Sequence, residues 1–347
     1  MGRANDLIPL YPSERALQRR RGSTATMTDQ STELAPPRHD KYERLVEAAR
    51  KLSPVTTAVV HPCDAVSLSG AIEAARLGLI RPILVGPDWR IRDQAAKASL
   101  ELGSLEIVNS AHSHDSAAKA VALVTSGRAE ALMKGSLHTD ELMAAVVARD
   151  GGIRTERRIS HCFIMDVPSH AEALIITDAA VNITPDLDEK ADIVRNAIDL
   201  AHALRFSEVR VAILSAMETV NAKVPSTIEA AALCKMADRG QITGALLDGP
   251  LALDNAISAE AAAIKNLVSP VAGRANVLVV PDLEAGNMLA KSLSFLAGAD
   301  AAGIVLGARV PIILTSRADS LLTRLASCAV AVLLVDARRS HTTAALG

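Results

Sequence analysis

Five segments of the chain combine polar or charged side chains with glycine or proline directly after an apolar run. The first is Lys134-Gly135-Ser136, which precedes a stretch with helical periodicity. Glycine permits close backbone approach, lysine adds a positive charge, and a helix that begins here adds free N–H groups and the positive end of its dipole. These features favour an anion-binding site, although a capped turn between a strand and a helix uses the same residue types.

Two further segments place polar residues at the ends of apolar runs. Asp178 and Asn182 follow one such run. Asn182 is a candidate for substrate binding, and it is equally suited to satisfying backbone groups within a turn. The sequence Asp248-Gly249-Pro250 predicts a rigid turn at a strand end, where Asp248 would face a cleft.

The fourth segment contains Gly286 and Asn287 in the first turn of a predicted helix. A glycine inside a helix costs about 1 kcal/mol relative to alanine. That cost indicates that a ligand backbone or a neighbouring chain segment passes close to Gly286. Both residues are therefore candidates for substrate binding.

The fifth segment, with Ser316, Arg317 and Asp319, follows an apolar run and opens the last predicted helix. Arginine in the first turn of a helix runs against the helix dipole, which indicates that Arg317 faces an anion. Its planar guanidinium suits a phosphoryl group, Ser316 offers a hydroxyl, and Asp319 offers a carboxylate.

The elements that position these segments follow from periodicity. Short β-branched runs bounded by Gly, Pro or Asp alternate with Ala-rich amphipathic stretches from about residue 41 onward. This alternation predicts a parallel sheet with helices on both faces, and ligand binding beyond the carboxyl ends of the strands. About ten strands exceed one tidy sheet, so we expect two doubly wound α/β domains with a cleft between them.

Composition excludes several classes of function. Aromatic residues make up 2% of the chain and the formal net charge is −2, which argues against a nucleic-acid platform and against attraction to an anionic membrane. The longest apolar run is well short of the roughly 18 residues that a membrane-spanning helix needs. Four separated cysteines without a CxxC pair indicate reduced thiols in the cytoplasm and no metal site.

Residues 1–40 lack apolar periodicity and mix Arg, Ser, Thr, Gln and Pro. This composition predicts a disordered leader. No apolar stretch follows its basic residues, so we expect no signal peptide, and Met27 is an alternative start.

Taken together, the five segments resemble the phosphate acetyl/butyryltransferase family. The resemblance runs from about residue 41 to the C-terminus and is densest in "DGPLALDNAIS", "SPVAGRANVLVVPDLEAGN" and "VPIILTSRADS". It implies an acyltransferase that moves an acetyl or butyryl group between coenzyme A and phosphate, without a metal or redox cofactor. It also implies a homodimer or larger oligomer with two α/β domains, which we place at residues 41–155 plus 300–347 and at residues 156–299.

The resemblance assigns roles to residues at the last helix. Ser316 and Arg317 match the pair that binds phosphate and stabilises the transition state. Acetyl-specific members carry an aspartate further along this helix as the proposed thiol base, where this chain has Thr323. Asp319 is then the candidate base, and the Ser-Arg-x-Asp-Ser form resembles the butyryl branch.

Two alternatives stay open at this point. A decarboxylating dehydrogenase has a similar two-domain architecture, but it needs clustered aspartates for a metal and a nucleotide-binding loop, and the sequence has neither. The other alternative is a degenerate family member that binds coenzyme A or phosphate without turnover. The threonine at position 323 is the feature that favours it.

Overall fold

The structure is a computed structural model, and it describes residues 40–315 and 319–346. The predicted leader lies outside the described residues apart from Asp40, as do Ser316 and Arg317. The strands are β1 Val55–Val60, β2 Ile80–Gly86, β3 Ile107–Asn109, β4 Ala131–Lys134, β5 Ser160–Asp166, β6 Leu174–Thr177, β7 Arg210–Leu214, β8 Leu246–Leu251, β9 Val277–Val279, β10 Asp300–Leu306 and β11 Ile312–Ile313. The helices are α1 Asp40–Arg50, α2 Ala65–Arg76, α3 Asp88–Lys97, α4 Ser113–Thr125, α5 Thr139–Val146, α6 Leu187–Ala203, α7 Pro225–Asp238, α8 Leu253–Ile257, α9 Ala259–Ile264, α10 Leu283–Leu296 and α11 Leu321–Leu346.

The strands form one sheet of eleven, in the order β3-β2-β1-β4-β11-β10-β5-β6-β9-β7-β8. The α/β class is confirmed, but the expectation that ten strands would not share one sheet is wrong. The two predicted domains share one sheet because β10, from the first, pairs with β5, from the second, along seven residues. The assignment of residues 41–155 plus 300–347 and of residues 156–299 to separate domains stays a prediction.

The middle of the sheet is antiparallel, which corrects the expectation of a fully parallel sheet. β10 runs antiparallel to both β11 and β5, and β5 runs antiparallel to β6. The remaining pairs are parallel. Because of these reversals, β4 and β6 run in opposite directions. Their carboxyl ends therefore point toward opposite sides of the sheet along the strand axis.

β10 is the strand that periodicity does not predict. Its first half, Ala301-Ala302-Gly303, lacks the β-branched and aromatic residues that favour strands. Close packing requires a small residue here, since a Cβ on Gly303 would lie 2.6 Å from the carbonyl oxygen of Leu314. Tertiary pairing here overrides local propensity.

The two faces of the sheet are covered differently. One face has a continuous core, which includes the buried residues of α2, α6 and the first half of α11. The other face carries two separate clusters, one under α4 and α5 and the other under α8, α9 and α10. β10 supplies Val305 to the first cluster and Ala301 to the second, so both clusters lie on the same side of that strand. The gap between them runs over the middle of the sheet.

None of the described helices combines the length and the hydropathy that a bilayer crossing needs.

α1 is fastened to the middle of the sheet by buried polar contacts. The Lys41 ammonium lies 2.6 Å from the Asp166 carboxylate, with 8% and 0% of the two side chains exposed. The Tyr42 hydroxyl donates to the carbonyl oxygen of Ile164 at 2.6 Å and accepts from the Ala302 N–H. α1 therefore bridges β5 and β10, the two strands that hold the halves of the sheet together.

We predict that Asp166→Asn lowers the free energy of unfolding by about 3–5 kcal/mol, because it leaves the Lys41 ammonium buried without its counter-charge. Asp93→Asn is the matched control, since it removes an exposed partner of Lys97 within α3. Exposed pairs contribute up to about 1 kcal/mol, so the control should unfold near the wild-type denaturant concentration. Equal unfolding midpoints for the two variants in urea would contradict the anchoring role of Asp166.

Candidate functional site

The gap between α5 and α10 forms a cleft of about 840 Å³. Its floor is the middle of the sheet, and its walls are the start of α5, one side of α10 and the start of α11. A cleft of this size falls in the range of small-molecule sites. The polar residues that line it are Lys134, His138, Thr139, His161, Asn287, Lys291, Ser294, Asp300, Thr315, Asp319, Ser320 and Thr323.

Only part of the Lys134-Gly135-Ser136 segment lies at the cleft. Lys134 ends β4 and lines the cleft. A Cβ on Gly135 would lie 2.4 Å from the Val60 carbonyl oxygen, so only glycine lets this loop approach the end of β1. The Ser136 hydroxyl donates to His61 O at 2.8 Å and lines a neighbouring pocket of about 480 Å³. Of the three residues, Lys134 alone lines the main cleft.

The start of α5 adds a backbone contribution to the site. His138 is the N-cap residue, and its side chain makes no capping hydrogen bond to the first turn. Asp140 and Glu141, the acidic residues of that turn, line two other pockets. His138 and Thr139 at the start of this helix line the cleft, while the Glu141 carboxylate of the same turn accepts from the backbone N–H of His138.

α10 presents a polar stripe to the cleft. Asn287, Lys291 and Ser294 recur at helical spacing and line the same wall. Asp282 caps the helix by accepting from the Ala285 N–H at 2.8 Å. This cap fixes the start of the helix and with it the direction of the stripe.

Gly286 lies behind that stripe and allows α10 to pack against the loop after β6. A Cβ at this position would lie 2.7 Å from Val280 and 2.9 Å from Ala179. The Asn287 amide also donates to Ala179 O at 3.3 Å. Of the two causes that the sequence allowed for the glycine, the described residues show a neighbouring chain segment.

Asn182 is buried and has protein partners on every side. Its amide donates to Ile159 O at 2.9 Å and to the Asp178 carboxylate at 2.6 Å, and its carbonyl oxygen accepts from Arg158 Nε at 2.7 Å. The Asp178 carboxylate also accepts from the Ala180 N–H at 2.9 Å. These bonds order the loop from which Ala180 reaches the cleft, while Asn182 itself does not line the cleft.

Asp248 lies away from the cleft, in the edge strand β8. Seven strand spacings separate β8 from β4, which amounts to about 34 Å along the sheet. The Asp248 carboxylate accepts from the Gly249 N–H at 2.8 Å. The chain therefore does not bring Asp248 together with the other candidate residues.

Described residues just before α11 line the cleft. Thr315 and Asp319, which flank the undescribed Ser316-Arg317-Ala318 segment, both line the cleft. The Thr323 hydroxyl accepts from Ser320 Oγ at 3.1 Å, and Asp319 O accepts from Arg324 at 3.1 Å. Asp319 is half-buried and is the acidic residue of this segment that reaches the cleft.

Sequence reasoning missed His161, which lies in β5 and lines the cleft with 1% of its surface exposed. Burial lowers the pKa of its imidazole to about 4. A single histidine inside an apolar strand has the pattern of a core residue, so the sequence carries no signal for it. The strand register supplies the missing information.

The cysteines offer no thiolate for covalent chemistry. Burial raises the pKa of Cys63 to about 11 and the pKa of Cys162, Cys234 and Cys328 to about 12. At neutral pH these thiols are protonated, and a protonated thiol is a weak nucleophile.

Comparison with known proteins identifies the relatives of this chain. A family model described as phosphate acetyl/butaryl transferase matches residues 111–332. The phosphate acetyltransferase of Rhizobium meliloti is 66% identical over 311 residues, which cover 90% of this chain and 98% of that protein. The phosphate butyryltransferase of Clostridium acetobutylicum is 39% identical over 286 residues, which cover 82% of this chain and 94% of that protein. A branched-chain phosphotransacylase from Enterococcus faecalis V583 has a TM-score of 0.71 and 29% identity, covering 81% of this chain and 99% of that chain.

The sequence identities favour the acetyl branch of the family, whereas the start of the last helix favoured the butyryl branch. The form of residues 316–320 resembles the butyryl branch, but the acetyl-named relative is 66% identical and the butyryl-named relative 39%. Whole-chain identity outweighs five residues at one helix start.

We predict that Gly286→Ala destabilises the protein and lowers turnover, because the added Cβ meets Ala179 and displaces the loop that Asn287 holds. Helix propensity alone predicts the opposite sign, a gain of about 1 kcal/mol. Gly70→Ala in α2 is the comparison for stability alone, since the three atoms nearest to its Cβ all belong to side chains, the first being Cδ of Arg324 at 3.1 Å. A Gly286→Ala variant that melts above the wild type with full turnover would refute the packing role.

Proposed function

The chain belongs to the phosphate acetyl/butyryltransferase family, and from this premise we propose that it is a phosphate acetyltransferase whose active site is the cleft between α5 and α10. It moves a short acyl group between coenzyme A and inorganic phosphate. The 66% identity over nearly the full length of a phosphate acetyltransferase supports acetyl as that group.

Phosphate and acyl phosphate are anions, so the site must supply positive charge. Lys134 and Lys291 line opposite walls of the cleft, and the start of α5 adds the positive end of a helix dipole. We assign the phosphate subsite to the region between Lys134 and the start of α11. Ser316 and Arg317 complete this subsite in the proposal, since Thr315 and Asp319 on either side of them line the cleft.

Direct transfer is the mechanism that suits these residues. A phosphate oxygen attacks the thioester carbon, the carbonyl oxygen takes up the electron pair, and the carbon–sulfur bond then breaks. The transient oxyanion requires hydrogen-bond donors and positive charge, which Arg317 and Lys134 supply in our proposal. An acyl-cysteine intermediate does not suit the buried, protonated thiols.

A base is required in the reverse direction. The coenzyme A thiol has a pKa of about 8.5, so a base raises the fraction of thiolate at neutral pH. Thr323 has a hydroxyl in place of a carboxylate, and that hydroxyl is paired with Ser320. We therefore propose the carboxylate of Asp319, a residue that lines the cleft, as the base.

The proposal also covers the cofactors, the cellular compartment and the assembly of the enzyme. Exchange of a thioester with phosphate changes no oxidation state, so the proposed reaction needs no redox cofactor, and we propose that the cations of the protein do the work that a metal ion would otherwise do. Coenzyme A takes part as a substrate. We also propose that the enzyme acts in the cytoplasm as a homodimer or larger oligomer. In this proposal Asn287 binds substrate from the cleft wall, and Gly135, Ser136, Asn182 and Gly286 shape the substrate site from behind its lining.

The direct test is release of free thiol from acetyl-, propionyl- and butyryl-CoA, with and without phosphate. We expect release to require phosphate, to persist in EDTA, and to have the highest kcat/KM for acetyl-CoA. A higher kcat/KM for butyryl-CoA would overturn the acyl preference. Binding of coenzyme A without release from any thioester would identify the degenerate alternative.

We predict that Arg317→Lys lowers kcat by about 10²–10³-fold, because lysine keeps the charge but loses the bidentate fork that an oxyanion or phosphate needs. The thermal midpoint should hardly change. Near-normal turnover would place the transition-state donor elsewhere.

Asp319→Asn is the companion variant for the same helix start. If Asp319 is the base, the loss of rate in the acyl phosphate to thioester direction is greatest at low pH, where free thiolate is scarcest. A loss that is constant across the pH range would assign Asp319 to positioning of the substrate.

A further inference from the structure

His161 lines the floor of the cleft beside several apolar residues. It lies on β5, two residues before Phe163, and both side chains line the cleft. The two rings meet edge to face with their centroids 4.4 Å apart. Ala301 and Leu314, from the neighbouring strands of the floor, also line this part of the cleft.

The Nδ1 atom of His161 is buried and has no hydrogen-bond partner within the described part of the chain. Buried polar atoms are paired in the great majority of proteins, and an unpaired one costs about 1–3 kcal/mol. An apolar residue of similar size would avoid this cost. Fold stability therefore gives no reason for a histidine at position 161.

The unpaired Nδ1 favours one tautomer of the ring, which we assign from the surroundings of its two nitrogens. An orphaned buried N–H is rarer than an orphaned acceptor, so Nδ1 carries the lone pair and Nε2 carries the proton. Burial also keeps the imidazole neutral, because it holds the pKa at about 4 against the opposing effect of Asp178. His161 is thus a neutral N–H donor at the distal end of its ring.

Gly303 makes room for this end of the ring. Gly303 lies on the adjacent strand β10, directly opposite Phe163. A Cβ on Gly303 would lie 3.0 Å from Nε2 of His161. The glycine therefore admits the protonated nitrogen to the floor of the cleft.

We propose that His161 is a catalytic residue whose Nε2–H donates a hydrogen bond to the carbonyl oxygen of the bound acyl group. The proposal rests on the proposed function of the cleft. Thioester and acyl phosphate present acceptors at their reacting ends, so the protein must supply the donor. A neutral donor suits a carbonyl that is neutral in the substrate and gains negative charge in the transition state.

The step balances without a further reactant. A phosphate oxygen forms a bond to the acyl carbon, and the carbonyl electron pair moves onto the oxygen that His161 contacts. That pair then returns, the carbon–sulfur bond breaks, and the coenzyme A sulfur leaves with its electrons and takes up the proton that hydrogen phosphate loses on becoming acyl phosphate. His161 keeps its own proton throughout.

Three variants of His161 separate this role from the others. Glutamine places an amide N–H near the position of Nε2, asparagine places one near Nδ1, and leucine fills the space without a donor. We expect His161→Gln to keep kcat within about tenfold of the wild type. His161→Leu and His161→Asn should each lower kcat by about 10²–10³-fold with little change in KM. The assay uses the thioester that the wild type turns over fastest.

Phe163→Leu is the matched control, since it changes the same wall without removing a hydrogen-bond donor. It should lower kcat much less than His161→Leu, and His161→Leu should melt at or above the wild-type temperature because it removes an unpaired polar atom.

Several results would overturn the proposal. His161→Leu with near-normal kcat would make the residue structural, and His161→Gln as slow as His161→Leu would indicate proton transfer instead of donation. If leucine prevents folding, the contrast between glutamine and asparagine decides, and equal kcat values for that pair refute the donor at Nε2. An inactive wild type would remove the proposed function together with this inference, whereas an active wild type with unaffected variants would remove this inference alone.

Discussion

The pairing of β10 with β5 is the interaction on which the rest of the structure depends. It joins strands from two distant parts of the chain through seven register pairs, and β11 then pairs with β4 on the other side. Because β10 runs against both neighbours, the strands on its two sides can belong to separate βα series and still share one sheet. α1 stabilises this seam through the buried contacts of Tyr42 with Ile164 and Ala302.

The cleft is a consequence of that seam. Helices that follow parallel strands cover the face of their own series, so α5 ends one layer and α10 begins the next. The floor between them stays uncovered, and each series contributes a cation to the lining of the cleft, Lys134 from β4 and Lys291 from α10. Glycines at positions 135 and 286 bring the flanking loops within contact distance, where a Cβ would collide with neighbouring atoms. The positive charges of the cleft and the close packing around it thus come from the same segments.

The sequence predicts the individual elements well where periodicity is strong. Apolar runs and Ala-rich stretches that are bounded by Gly, Pro or Asp do form strands and helices, since β4 ends at Lys134 directly before Gly135 and α6 begins at Leu187 directly after Asp186. β10 escapes prediction because Ala301-Ala302-Gly303 has the composition of a loop or a helix, and its role is set by tertiary pairing. Strand direction escapes as well, since βα alternation describes neighbours along the chain and not partners across the seam.

The candidate site shows the same division. Lys134, Asn287 and Asp319 are found from their types and positions after strands, and the fold places all three in one cleft. Asp248 has equally suitable neighbours in sequence, but its strand lies at the sheet edge. His161 has no local signal, because only the register of β5 and the unpaired Nδ1 distinguish it from a core residue.

Hydrogen–deuterium exchange with and without coenzyme A and phosphate tests most directly whether this cleft is the active site. Exchange reports the protection of backbone amides segment by segment, so it locates the ligand without any variant. We expect coenzyme A and phosphate to slow exchange at the start of α5, along α10 and at the junction of β11 with α11, and to leave exchange in β8 unchanged. Protection that is confined to β8 or its flanking turns, with the walls of the cleft unaffected, would contradict it.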